Sequence, residues 1–155
     1  MNIFYLDKNI QKCVKYHCNK HTTKMIVEYA QILSTASTLY GGISQGYKPT
    51  HKNHPCVKWC AASISNWLYL RDLAFALCDE YTYRYGKTHK TLAVLKSLKT
   101  PKLPSIPFYE PPKCMPDEVK LNDVVDSYRN YYNKVKAKFC VWKNRAIPEW
   151  FTCVN

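Results

Sequence analysis

Between residues 19 and 40 the apolar positions recur at helical spacing. Met25, Tyr29, Ile32, Ala36 and Leu39 share one face, and Ile26, Leu33 and Tyr40 widen it. Beside that face runs a polar stripe of His21, Lys24, Glu28, Gln31 and Thr35, which Cys13 and His17 extend if the helix reaches back through the preceding residues. The pattern predicts a wet edge bordering a core helix. Upstream, the apolar residues 3–6 read as a short strand or an extended segment tucked into the core, and Asp7 reads as the cap of a helix over 8–18. Asn19 reads as a second cap, and Gly41-Gly42 as a left-handed stop.

Pro55 suits the first residue of a helix running to about Ser63, with Ser65 or Asn66 restarting or bending it. From 67 to 85 apolar residues cover most of a helix circumference and leave mainly Asp72, Asp79 and Tyr83 on a polar edge. This predicts a central helix, ended by Gly86. A short helix is expected over 89–98. Residues 101–116 hold six prolines, which forbid regular structure and predict an extended surface connector. Asp117 or Asn122 starts a last long helix through Phe139, and residues 141–155 form a basic, aromatic tail. The expectation is an all-α, compact single domain over 1–155 with about four to six helices, since 155 residues suit one core.

Charge narrows the class of partner. The net charge is +12, and such a field attracts polyanions, nucleic acid first and anionic membrane second. Nineteen of the 23 basic residues are lysines, which favours diffuse backbone attraction over the bidentate arginine contacts that read guanine. The longest uncharged run, 29–47, is broken by glycines and polar residues, so no membrane span is expected. Eight cysteines follow a start that lacks a secretory leader, so they are read as reduced thiols in a cytoplasm, a host cell's if the protein is viral. No Cys-x-x-Cys pair occurs, and structural zinc is not expected. The absence of a glycine-rich phosphate loop and of a Gly-x-Ser-x-Gly elbow disfavours ATP-dependent and esterase chemistry. No cofactor and no obligate protein partner is called for, and a monomer is expected.

Glu28 and Asp7 are the only acids in the first 71 residues, against eight lysines and Arg71. Glu28 is read as a general base, as the stabiliser of a cation developing at a sugar carbon, or as the partner of Lys24, a surface pair worth under about 1 kcal/mol. His21 and Lys24 are assigned to the neighbouring phosphate. Further nucleic-acid contacts are expected from Lys48, His51, Lys52 and His54 in a basic loop, from Arg84, Lys87, His89 and Lys90 among tyrosines, and from Lys143 and Arg145 in the tail. That tail reads either as a nucleic-acid wedge or as a clamp packing its two tryptophans on the opening helices. Three functions remain open: a DNA N-glycosylase centred on Glu28, a non-enzymatic nucleic-acid or nucleotide binder, and a metal-dependent nuclease using His17, His21, His51 and His54.

The seven-residue step from His21 to Glu28, the His-led apolar segment from His54 onward and the Trp-, Tyr- and Lys-rich end resemble the pyrimidine-dimer DNA glycosylases of bacteriophages, the endonuclease V family. The resemblance implies a small helical fold and cleavage of the N-glycosidic bond of a damaged or modified base, with Glu28 as the catalytic carboxylate. It also implies lyase chemistry on an N-terminal α-amine. Where the family has arginines immediately before and three residues after its glutamate, this chain has Val27 and Gln31, so phosphate gripping there is lost. Asn2 keeps Met1 in place, and Ile3, Phe4, Tyr5 and Leu6 replace a polar, arginine-bearing start.

Overall fold

The computed structural model describes residues 1–152 and contains six α-helices, with no strand among the described residues. Residues 3–6 run extended and buried, as their apolar character requires. Helix α1 (Ile10–Tyr16) is capped by the Asn9 side chain, and Asp7 instead accepts from the Asn9 N–H at 2.8 Å and pairs with Arg129. The chain then breaks before α2 (Asn19–Tyr40). His17 and Cys18 are extended, so Asn19 is the first helical residue and not a cap.

No glycine or proline causes this break. The backbone N–H of Cys18 donates to the Tyr132 hydroxyl at 3.2 Å, and that of Asn19 donates to the Val141 carbonyl at 2.8 Å. Donors that a continuous helix would satisfy internally are therefore satisfied by the C-terminal segment. Helix α2 ends at Gly41, whose φ of −102° is not left-handed; that conformation falls one residue later, at Gly42 (φ 70°). Gly41 is required for another reason, because a Cβ there would collide with Pro101 of the connector.

Helix α3 (Pro55–Ala62) begins at proline, as expected, with the His54 side chain as its cap. Ser63 separates it from α4 (Ile64–Tyr85), accepting from the N–H groups of Ser65 and Asn66. Helix α4 is central: Leu70, Leu73, Ala74 and Leu77 are fully buried, while Asp72, Asp79 and Tyr83 face out. It packs along α2, where the Trp67 indole N–H donates to the Leu33 carbonyl and the Ser37 hydroxyl, each at 3.1 Å. Gly86 closes it in the left-handed region (φ 69°). Helix α5 (Thr91–Ser97) packs on both α2 and α4.

Residues 101–116 form no helix or strand, in keeping with their prolines. The final helical stretch is less regular than its periodicity predicts. A 3₁₀ turn at Asp117–Val119 precedes α6 (Val124–Tyr131), which is capped by Asp123, widens into a π turn over Tyr132–Lys136 and tightens into a 3₁₀ turn at Ala137–Phe139. The tail behaves as a clamp. The Trp142 indole N–H donates to the Tyr16 carbonyl at 2.9 Å, and Trp150 meets the Tyr16 ring edge-on. Residues 153–155 of the expected tail lie outside the described residues. No described helix is long and apolar enough to cross a membrane.

Candidate functional site

The polar stripe of α2 is wet only in its middle. Thr35 and His21 are buried, and Cys13 and His17 are completely so, leaving Lys24, Glu28 and Gln31 at the surface. Over this open stretch lies the start of the chain. The Met1 nitrogen stands 3.8 Å from Glu28 Oε2, and Lys24 Nζ stands 3.7 Å from Oε1 on the other side. A small cleft of about 80 Å³ is lined by Met1, Asn2, Phe4, His21, Lys24, Met25, Glu28 and Lys136. The cleft is small and open to solvent on one side, with Glu28 between the Met1 nitrogen and Lys24.

A buried relay holds the N-terminal segment at this distance. Cys13 O accepts from His17 Nδ1 at 2.8 Å, and a carbonyl can only accept, so Nδ1 carries the proton. His17 Nε2 therefore accepts from the Tyr29 hydroxyl at 2.8 Å, and the Tyr29 oxygen accepts from the Phe4 N–H at 3.1 Å. Burial lowers the His17 pKa to about 3, so the ring is neutral at physiological pH, as the relay requires. Neither His17 nor Tyr29 stood out as a positioning group in the sequence, where each reads as one more member of a stripe.

His21 is 5% exposed and cannot grip a phosphate in this arrangement. Its Nδ1 is 2.7 Å from the Tyr132 hydroxyl, and its ring stacks on Phe4 with centroids 4.0 Å apart. It therefore anchors the N-terminal segment from the other side. The neighbouring Cys18 thiol is held below its usual range, first by a hydrogen bond from Cys140 and then by His21.

The other residues expected to contact nucleic acid divide into those presented to solvent and those tied up within the fold. Lys48, His51, Lys52, Lys87, Lys90 and Lys143 are exposed. Arg84 is 2% exposed, with Nε donating to Glu80 at 2.7 Å and three further donors to Asn19, Val14 and Lys15, so its guanidinium is built into the fold and is not presented to a phosphate. Arg145 forks onto both oxygens of the same Glu80, each at 2.9 Å, and stacks on Tyr83. His89 is used at both ring nitrogens, by Thr23 O and by the Thr91 N–H. His54 is half-buried, and its Nδ1 accepts from the Cys56 N–H at 3.1 Å.

Lys136 was missed as a site residue. It lies on the cleft beside Lys24, and its signal was the run 127–148, which holds six basic residues and no acid. Lys20 and Lys136 both place their ammonium groups over the Phe139 ring, which in turn meets the His21 ring edge-on. The histidines of the nuclease reading do not converge: His17 and His21 are each tied to a tyrosine, and His51 is exposed and paired with Thr50.

No curated protein and no solved structure matches this chain. A family model described as pyrimidine dimer DNA glycosylase matches residues 1–93, more than half of the 155. That span contains the extended start, the relay and Glu28, and on it the chain belongs to the pyrimidine dimer DNA glycosylase family.

Proposed function

We propose that this protein cleaves the N-glycosidic bond at pyrimidine dimers in DNA and then breaks the strand, with the Met1 α-amine as nucleophile and Glu28 as the catalytic carboxylate. The observation that carries this reading is the 3.8 Å approach of the Met1 nitrogen to Glu28 in a lysine-rimmed cleft. As a class, α-amines lose their proton far more readily than lysine side chains, so an amine of this kind is a competent nucleophile near neutral pH.

The unprotonated amine attacks C1′ of the damaged nucleotide. The bond from C1′ to the base breaks, its electron pair leaves with the base, and the base takes up a proton. Ionised Glu28 stabilises the positive charge that builds on the sugar and accepts a proton from the attacking nitrogen. The C1′–O4′ bond then breaks with its electron pair going to O4′, which takes the proton held by Glu28, and this leaves a C1′=N iminium; the iminium acidifies the 2′ hydrogen, and loss of that proton to solvent expels the 3′ phosphate with the C3′–O electron pair. Lys24 and Lys136 attract the flanking phosphates, while His21 and the His17–Tyr29 pair position the N-terminal segment.

Borohydride tests this directly, because it reduces the iminium to a stable amine. Intact-mass analysis should find Met1 retained with a free amine, and peptide mapping of the trapped DNA adduct should place it on Met1. Glu28→Gln should abolish cleavage and spare binding. Cleavage of dimer-containing DNA by Glu28→Gln at the wild-type rate would overturn the proposal.

A further inference from the structure

His54, Cys56 and Cys114 present one ligand atom each, and all three atoms lie within 4.8 Å of one another. We propose that they form a binding site for a single thiophilic divalent cation, Zn²⁺, that ties the proline-rich connector to the start of α3.

The distances fit the ion. Zinc bound by thiolates at about 2.3 Å with tetrahedral angles separates two sulfurs by about 3.8 Å, and the Cys56 and Cys114 sulfurs are 3.7 Å apart. The same separation is far longer than a disulfide bond of about 2.05 Å. Two thiolates and an imidazole are the ligand types zinc selects over harder ions, and a site with three protein ligands leaves the fourth position for water. Cys56 is fully buried, whereas His54 and Cys114 are half-buried, so the open position faces outward.

The supports are already rigid. Pro55 separates His54 from Cys56 at the first turn of α3. The Cys114 N–H donates to the Tyr128 hydroxyl at 3.3 Å, and that hydroxyl donates to the Pro112 carbonyl at 2.6 Å. Coordination through either nitrogen of His54 replaces one existing hydrogen bond, from the Cys56 N–H or to the Met1 backbone. Each thiol releases its proton to solvent as its sulfur bonds the metal, so two thiols and one Zn²⁺ give a neutral bis-thiolate and two protons. Sequence spacing conceals the site, because the two cysteines are 58 residues apart.

The test uses the full chain, reduced and stripped with a chelator, titrated with Zn²⁺ against a chromophoric competitor and separately with Co²⁺, whose thiolate charge-transfer band reports sulfur ligation. One equivalent should bind at submicromolar affinity, with the cobalt band present. Cys114→Ser should weaken binding at least tenfold; its half-exposed side chain makes it the safer variant, and circular dichroism checks that it is folded. Cys56→Ser and His54→Ala should do the same, and Cys18→Ser should have no effect. Absence of stoichiometric binding, affinity unchanged in folded Cys114→Ser, or loss of binding in Cys18→Ser would each overturn the proposal.

Discussion

Replacing Tyr29 by phenylalanine removes one oxygen atom and almost no packing volume. That oxygen accepts from the Phe4 N–H at 3.1 Å and its proton serves His17 Nε2 at 2.8 Å, all inside a region with no exposed surface at Tyr29 or His17. Both partners are then left buried without a hydrogen bond, at a cost of about 1–3 kcal/mol each. The sum, roughly 2–6 kcal/mol, is a large share of a typical domain stability of about 5–15 kcal/mol. In urea, with a slope of about 2 kcal/mol per molar, the midpoint should fall by about 1–3 M with the slope unchanged. Tyr83→Phe, at a site 55% exposed and with a hydroxyl in solvent, is the control and should leave the midpoint where it is. The same substitution at Tyr29 frees the backbone that carries Met1, so dimer cleavage under folding conditions should fall while DNA binding holds. A Tyr29→Phe protein within about 0.5 kcal/mol of wild type would refute the relay.

Other expectations follow from particular groups. His17 has a folded pKa of about 3 against an ordinary 6.5, so below pH 6.5 the unfolded chain binds a proton that the folded chain refuses. Stability contributed by this group is complete above pH 6.5 and is lost by up to about 1.4 kcal/mol per pH unit as the pH falls toward 3; denaturant unfolding at pH 4 to 7 should show a flatter slope for His17→Gln. Glu80→Ala strands two guanidinium groups and should destabilise by about 3–5 kcal/mol in thermal or urea unfolding, more than Arg145→Ala, whose side chain is 24% exposed. Lys24→Ala and Lys136→Ala should each weaken DNA binding and lower the slope of log K against log salt by about one, measured by fluorescence anisotropy.

Local chemistry made much of the helical framework legible. Pro55, Gly86 and the six prolines of the connector act within their own turn or segment, and each marks the boundary that the structure has. A division of the first two helices near Asn19 was legible, but its cause was not, because the groups that satisfy the freed donors belong to Tyr132 and Val141, more than a hundred residues away. The same holds for the site. Glu28 stood out as a lone carboxylate among lysines, but the depth at which His21, His17 and Arg84 are buried is a property of tertiary packing that a helical stripe does not encode. Nor does a spacing read over the whole stretch resolve a single π turn at Tyr132–Lys136, whose first residue bonds His21.

The clamp at the far end of the chain sets a deadline. Phe4 packs against Tyr128, Tyr131 and Tyr132, and Arg129 donates to the Leu6 carbonyl at 2.8 Å, so the first residues synthesised are seated by some of the last. Until α6 and the tail have been synthesised, residues 3–6 lack the aromatic and arginine partners that hold them. Once those partners are in place, the Met1 side chain is 2% exposed and its nitrogen lines the cleft beside Glu28. The candidate site is therefore assembled last, from the two ends of the described chain, and a chain cut short before α6 would leave it unbuilt.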